Sequence, residues 1–217
     1  MKDALSRTSE KPSRRIYIDI DDVLSETITL LNDLLHQHHE RRVPYEELTH
    51  FDLGVSFRLN ATELDRFLEL VHEPTAIEGI DVVEGAVASL GGWLDAGYEI
   101  NLLTGRPPST DAATRRWLAK HAMPHSSLGF VDKYGRTHTD TSGPAALSLG
   151  DLAEMDFCLA VEDSLEVASY LAGTVGVDVA LVDHPWNRNT DHLPRATRAR
   201  LHRCHSWAEI IERFPAP

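Results

Sequence analysis

Cysteines are few in this sequence, and long apolar runs are absent. Only Cys158 and Cys204 occur among the 217 residues, so a scaffold held by disulfides is not expected. No hydrophobic stretch approaches the roughly 20 residues that cross a bilayer. Residues 1–14 also lack the apolar segment of a secretory signal, and we expect them to form a flexible leader. These absences predict a cytoplasmic protein that does not insert into a membrane.

Positive charge is also scarce. The 21 basic and 34 acidic side chains give a net charge of −13, which repels a nucleic-acid backbone. The densest basic stretch, residues 195–203, is predicted to form a solvated helix face. We therefore expect no nucleic-acid polymer as partner, and a monomer or homodimer. A small phosphorylated metabolite is compatible with the acidity, because a metal ion can offset the local charge.

Short apolar runs alternate with segments of helical periodicity along most of the chain. This alternation predicts an α/β fold, a Rossmann-like parallel sheet with helices on both faces. The helices are predicted at residues 86–96, from Ser109 or Thr110 to His121, and at residues 165–172. The strands are predicted at residues 16–20, 99–103, 128–131, 157–161 and 177–182.

One region departs from the alternation. Between residues 25 and 80, leucines and other apolar residues recur at helical spacing with no strong strand among them. The pattern predicts a helical insertion of residues 25–80 after the first strand, which forms a cap. Residues 15–24 and 81–217 would then form the α/β core.

Polar residues follow each predicted core strand. The first strand ends in DIDDVL (residues 19–24), the second in LLTGRP (residues 102–107), the third beside Lys133 and the fourth in VEDS (residues 161–164). Each has an ordinary structural explanation when taken alone, such as a turn or a helix N-cap. Together, and in this order, they predict one crevice at the carboxyl ends of the strands.

These residue types suit phosphoryl transfer. Asp19 is predicted to attack phosphorus, and Asp21 to protonate the leaving oxygen and then activate water. Thr104 and Lys133 would bind the phosphate, and Gly105 and Arg106 would also lie against the substrate. Asp19 and Asp163 would hold Mg²⁺, with Glu162 orienting metal-bound water.

The four segments resemble motifs one to four of the haloacid dehalogenase superfamily. The resemblance implies Asp19 as nucleophile, Asp21 as acid and base with its main-chain oxygen on Mg²⁺, Thr104 and Lys133 as phosphate binders and Asp163 as metal ligand. The second acid is typical of the phosphatases of the superfamily, and its presence argues against dehalogenation. An insertion directly after motif one is similar to the C1 type of cap.

A narrower resemblance concerns the substrate. THFDL (residues 49–53) and DHPWNR (residues 183–188) are similar to segments of 5'(3')-deoxyribonucleotidases, which suggests a nucleoside monophosphate. The chain departs from that subgroup at Thr104-Gly105-Arg106 and at Glu162. Of the cap aromatics Tyr45, Phe51, Phe57 and Phe67, one or two would stack on a base if a nucleotide binds, with Phe51 the residue to test, whereas such residues more often form the core of a cap. Trp186 is expected to reach the mouth of the crevice. Two alternatives stay open: a phosphotransferase or mutase acting on sugar phosphates, and a non-catalytic binding protein that keeps this fold.

Overall fold

A seven-stranded, all-parallel sheet forms the centre of the molecule, in the strand order β4-β3-β2-β1-β5-β6-β7. The computed structural model describes residues 13–133, 143–215 and 217. The strands are β1 (Arg15–Ile18), β2 (Glu99–Thr104), β3 (Ser127–Asp132), β4 (Leu147–Ser148), β5 (Phe157–Glu162), β6 (Val179–Val182) and β7 (Leu201–Cys204).

Helices separate the strands. Four of them follow β1 in the chain and precede the remaining elements of the core: α1 (Thr27–His39), α2 (Leu53–Ser56), α3 (Ala61–Val71) and α4 (Pro74–Gly79). The others are α5 (Ala86–Asp95), α6 (Asp111–Lys120), α7 (Leu149–Leu152), α8 (Leu165–Tyr170), α9 (Arg195–Arg198) and α10 (Trp207–Arg213). The predicted α/β class, with a parallel sheet, is confirmed.

Each face of the sheet carries its own hydrophobic core, because alternate residues of a strand point to opposite faces. Ile16 and Ile18 of β1 pack on one side with Trp93, Trp117 and Trp207 from the helices α5, α6 and α10. On the other side, Tyr17 packs with side chains of α7 and α8 that include Leu152 and Val167. The two cores leave only the ends of the strands available for a site.

The helices α1 to α3 have a third core of their own, whereas α4 packs through Ile77 against the core on the Ile16 face of the sheet. Leu31, Leu35, Leu48, Phe57 and Phe67 are buried together there. The helix α3 begins with a complete capping box, in which Asn60 and Glu63 satisfy each other's backbone N–H groups. The prediction of a helical insertion after the first strand is therefore confirmed, and residues 25–80 are called the helical insertion below. No helix in the described part of the chain has the length and hydrophobicity to cross a bilayer.

The fold corrects the sequence prediction in three places. Residues 195–203 do not form one helix: α9 covers only Arg195–Arg198, and the chain then enters β7 at the sheet edge. The strand β4 was not predicted, because two residues carry no periodic signal. The helix predicted to run to Ala172 continues instead as a π-helical turn over Leu171–Val175, and Gly176 (φ 84°) ends it in the left-handed region that glycine favours.

Candidate active site

The order of the strands brings the predicted site residues to one edge of the sheet. The strand β1 is paired with β2 on one side and with β5 on the other, with Ile18 opposite Leu102 and Val161. The Asp19 amide continues the ladder by donating to the Val161 carbonyl at 3.0 Å. As a result, the residues that follow β1, β2 and β5 lie next to one another.

Lys133 reaches this edge from one strand further away. It follows β3, which pairs with β2 and not with β1. Two strand spacings amount to roughly 10 Å, a gap that a long side chain can bridge. The Lys133 ammonium lies 2.9 Å from the Asp19 carboxylate and 2.9 Å from Glu162. All three side chains are almost fully buried.

Glu162 is held entirely by protein donors. One of its oxygens accepts from Lys133 and from the Tyr17 hydroxyl, at 2.9 and 2.6 Å. The other accepts from the backbone amides of Asp163 and Ser164. Burial raises the pKa of Glu162, but Lys133 and these hydrogen bonds outweigh it, so the pKa lies below its ordinary value. Glu162 is therefore an ionised anchor for Lys133.

Asp19 and Asp163 are buried acids that lack such full compensation. Burial and the nearby Glu162 carboxylate raise the pKa of both groups well above the ordinary range, and Lys133 opposes the shift. Oxygen atoms of Asp19, Glu162 and Asp163 come within 4.8 Å of one another. An all-oxygen set with excess negative charge suits a hard divalent cation such as Mg²⁺. Asp19 and Asp163 are the members of this set that would hold it.

Asp21 is bound by Arg106 in a two-pronged ion pair. The guanidinium donates to one carboxylate oxygen at 2.7 Å and to the other at 3.0 Å, and the Thr27 hydroxyl donates at 2.7 Å. Burial raises the pKa of Asp21, but Arg106 and Thr27 outweigh it and the pKa falls below its ordinary value. Arg106 is 6% exposed. The structure places Arg106 in a part-buried pair with Asp21 beside the cavity, and its predicted contact with substrate stays a prediction.

Thr104 is fully buried below this pair. Its hydroxyl accepts from the Arg106 amide at 3.1 Å and donates to Asp21 at 3.4 Å. The next residue, Gly105, lines the cavity above the site. All eight residues that the sequence nominated therefore lie together at this edge: Asp19, Asp21, Thr104, Gly105, Arg106, Lys133, Glu162 and Asp163.

A cavity of about 160 Å³ lies between these residues and the helical insertion. Its floor contains Asp19, Asp21, Arg106, Lys133 and Asp163. Apolar side chains of the helical insertion form most of its roof, and His50 and Phe51 lie at the exposed mouth. The chemistry-bearing groups and the insertion therefore face each other across one cleft that opens to solvent at His50 and Phe51.

The loop after β6 contacts both the strand ends and the helical insertion. The Trp186 indole donates to the Asp163 carboxylate at 3.0 Å and packs against the core of the helical insertion. His184 stacks on Trp186 with ring centroids 4.3 Å apart, hydrogen-bonds the Tyr45 hydroxyl at 2.6 Å and contacts the Asp22 carbonyl at 2.8 Å. The structure thus places Trp186 at the crevice, as predicted.

Sequence reasoning missed three contributors: Tyr17, Thr27 and His184. Tyr17 lies within β1 and had been counted only as part of an apolar run. Its signal was a hydroxyl in a strand that is otherwise buried and aliphatic, since such a group requires a partner. Thr27 gave no local signal, and His184 lay in the DHPWNR segment without being singled out, because their partners lie at Asp21, Asp22 and Tyr45.

Solved structures confirm the class of fold. The chain is similar to a structure described as a haloacid dehalogenase-like hydrolase from Bacteroides fragilis, with TM-score 0.56, 16% identity and coverage of 88% of this chain and 96% of that one. A haloacid dehalogenase family hydrolase from Deinococcus radiodurans R1, with bound phosphate and sodium, gives TM-score 0.56 and 17% identity over 95% and 97% of the chains. A structure described as a beta-phosphoglucomutase from Thermotoga maritima gives TM-score 0.53 and 17% identity over 93% and 98%. The protein therefore has the haloacid dehalogenase fold.

A match to a family model identifies the family of this chain. The model described as the LNS2 domain of PITM 1-3 matches residues 65–174, just over half of the chain. The chain belongs to this LNS2 domain family. The matched segment contains Thr104, Lys133 and Asp163 and excludes β1 with Asp19 and Asp21. None of the curated proteins matches the sequence.

Proposed function

We propose that the protein is a Mg²⁺-dependent phosphohydrolase that cleaves a small phosphomonoester through an aspartyl phosphate on Asp19. The observation that carries the proposal is the position of the Asp19 carboxylate, which lies on the cavity floor 2.9 Å from the Lys133 ammonium. A phosphate ester repels an incoming anion, so a nucleophilic carboxylate needs a cation beside it. The fold alone would leave the function open.

In the first step, an oxygen of Asp19 bonds to phosphorus and the ester P–O bond breaks. The leaving oxygen takes a proton from Asp21. In the second step, water attacks phosphorus, gives a proton to the Asp21 carboxylate and releases inorganic phosphate as the bond to Asp19 breaks. A bound Mg²⁺ would offset the negative charge of the phosphate and of the carboxylates around it.

The contacts of Asp21 favour the second of its two roles. The ion pair with Arg106 stabilises a carboxylate, the form that accepts a proton from water. To act as an acid, Asp21 must first be protonated, which requires a weaker contact with Arg106. The contact with Arg106 therefore favours Asp21 as the base of the second step over Asp21 as the acid of the first step.

The nucleotide part of the sequence prediction stays a prediction. Phe51 lines the cavity and is 41% exposed, and we expect it to contact the base if a nucleotide binds. A mutase on sugar phosphates would use the same aspartyl phosphate, and a binding protein would use the same cavity without turnover.

Phosphate release from p-nitrophenyl phosphate and from a panel of nucleoside monophosphates and sugar phosphates tests the proposal. We expect release in Mg²⁺, none in EDTA, and a loss of at least about 1,000-fold in Asp19→Asn. The matched control is Asp95→Asn, an exposed carboxylate on α5 that should change nothing. Isomerised sugar phosphate without free phosphate would identify a mutase, and equal inactivity of folded wild type and Asp19→Asn would favour the binding protein.

A further inference from the structure

The charges around the cavity are distributed on one side only. The floor contributes four acids, Asp19, Asp21, Asp22 and Asp163, and two cations, Arg106 and Lys133. Among the described lining residues of the helical insertion there is no Asp, Glu, Lys or Arg. The arginines of the helical insertion, residues 41, 42, 58 and 66, are exposed and do not line the cavity.

The two cations of the floor already have carboxylate partners. Lys133 lies between Asp19 and Glu162, and Arg106 is paired with Asp21. A second anionic group on a substrate would therefore meet a floor with an excess of acids and a roof without Lys or Arg, whose ionisable side chains among the described lining residues are the imidazoles of His50 and His72. This arrangement disfavours bisphosphates and phosphorylated carboxylic acids.

The roof also offers few partners to a substrate rich in hydroxyls. Nine apolar side chains of the helical insertion line the cavity, among them Ile28, Leu53, Leu68 and Val71. The polar lining side chains of the insertion are Thr27, His50, Ser56 and His72. The Ser56 hydroxyl already donates to the His50 carbonyl at 2.6 Å and the Thr27 hydroxyl to Asp21 at 2.7 Å, which leaves the two imidazoles as the main partners for a substrate hydroxyl. A sugar placed against this roof would leave hydroxyl groups without hydrogen-bond partners, which costs free energy.

The cavity bounds only the part of the substrate that it encloses, because its mouth is open at His50 and Phe51. An apolar cavity of ~150 Å³ holds one benzene ring, and this cavity of about 160 Å³ must also take the phosphate, so a leaving group larger than one ring would extend toward the mouth. Building on the proposed phosphohydrolase function, we infer that the substrate is a phosphomonoester of a small, uncharged, mainly apolar alcohol. The phosphate would lie on the charged floor and the alcohol against the roof.

Two comparisons test this inference. The first is kcat/KM for benzyl phosphate against 3-phosphoglycerate and thymidine 5'-monophosphate in Mg²⁺. We expect benzyl phosphate to exceed both by at least about tenfold, since apolar contacts of this size discriminate by about 10- to 200-fold. An equal or higher value for either of the other two esters would overturn the inference and leave the phosphohydrolase function intact.

The second comparison is binding of phosphonates that cannot be hydrolysed, measured by titration calorimetry in Mg²⁺. Benzylphosphonate should bind wild type at least about tenfold more tightly than 3-phosphonopropionate. This binding result tests the inference even if the protein hydrolyses none of the esters. A lack of hydrolysis would by itself contradict only the proposed catalysis. Equal binding, or tighter binding of 3-phosphonopropionate, contradicts the inference.

A pair of variants tests whether the roof causes the preference for an apolar leaving group. Val71→Arg adds a positive charge to a lining residue of α3, and should raise binding of 3-phosphonopropionate relative to benzylphosphonate by about tenfold. Leu70→Arg adds the same charge to the neighbouring residue, which does not line the cavity, and should leave the ratio unchanged. The same change in both variants would mean that the roof does not select the substrate.

Discussion

The floor and the roof of the cavity differ in almost every physical respect. The floor is built from strand ends, and its carboxylates and cations are buried or part-buried, with ion pairs between Lys133 and Asp19 and between Arg106 and Asp21. The roof is built from helices, with apolar side chains and the exposed aromatic Phe51. A dense charge network fixes where a reacting group must lie, whereas an apolar wall selects by shape and hydrophobicity. The difference implies that the floor determines the chemistry and the roof determines the substrate.

Loss of the Lys133 charge should disturb the floor most. In Lys133→Met the carboxylates of Asp19 and Glu162 lose their shared cation, and removing one partner of a buried ion pair costs about 3–5 kcal/mol. We expect the free energy of unfolding, measured by urea denaturation without Mg²⁺, to fall by about 3 kcal/mol. The roof makes no contribution to this effect.

The control for that variant is Lys120→Met at the end of α6. Its ammonium donates to the Glu78 carbonyl on the exposed surface, so its loss should change the free energy of unfolding by less than about 0.5 kcal/mol. Similar losses in the two variants would show that the floor does not depend on Lys133 for charge balance.

Mg²⁺ should stabilise the protein more at high pH than at low pH. The pKa values of Asp19 and Asp163 are raised on folding, so without metal the stability they contribute is present at low pH and is lost as the pH rises through the raised values. Mg²⁺ competes with those protons. The increase in Tm on adding Mg²⁺ should therefore be larger at pH 8 than at pH 5.

The control variants separate this effect from general salt effects. Asp163→Asn should lose most of the increase in Tm at pH 8, because one of the two proposed ligands is gone. The exposed Asp95→Asn should keep it. An equal increase at both pH values in wild type would contradict a metal site at Asp19 and Asp163.

Trp186 connects the floor to the roof, and its hydrogen bond can be removed without removing the ring. Trp186→Phe loses the donor to Asp163 and keeps an aromatic side chain beside the insertion core. We expect Mg²⁺ affinity to fall about tenfold, the lower range for loss of a group that orients a metal ligand. Titration of activity with Mg²⁺ measures the change.

Trp93→Phe is the matched control for that prediction. It also loses one indole hydrogen bond, to the Phe214 carbonyl at 3.1 Å, in a core on a sheet face away from Asp163. Its Mg²⁺ affinity should equal that of wild type. A similar decrease in both variants would assign the effect to stability and not to the contact with Asp163.

The smallest expected effect concerns the mouth of the roof. Phe51→Ala should raise KM for benzyl phosphate a few-fold, because part of a 41% exposed ring leaves the contact surface. KM for methyl phosphate, which is too short to reach the mouth, should not change. Equal increases for both esters would count against contact between Phe51 and the leaving group, and an increase confined to nucleotides would favour base stacking.

The sequence revealed the floor better than the roof for a physical reason. In a parallel sheet, residues that follow buried strands must meet at one edge, so local patterns were enough to place Asp19, Thr104 and Asp163 together. The pair between Arg106 and Asp21 depends on a contact across 85 positions, which no local pattern encodes. The contacts of Trp186 and His184 with the insertion likewise require the tertiary structure.

The edges of the sheet were predicted least well. The strand β7 reads LHRC, and its basic residues suggested a solvated helix. An edge strand carries polar side chains because one of its sides has no partner strand, so its pattern lacks the apolar run of a central strand. The residues between Lys133 and Gly143, where the sequence was irregular, lie outside the described part of the chain.

The most direct test of the account is detection of the phosphoryl group on Asp19. Wild type should be mixed with benzyl phosphate and Mg²⁺, quenched in acid within the first turnover and digested for fragmentation mass spectrometry. The account predicts one phosphoryl group on Asp19 in the peptide of residues 16–41, and none in Asp19→Asn. Release of phosphate by wild type with no phosphoryl group on Asp19, or with the group on another residue, would contradict it.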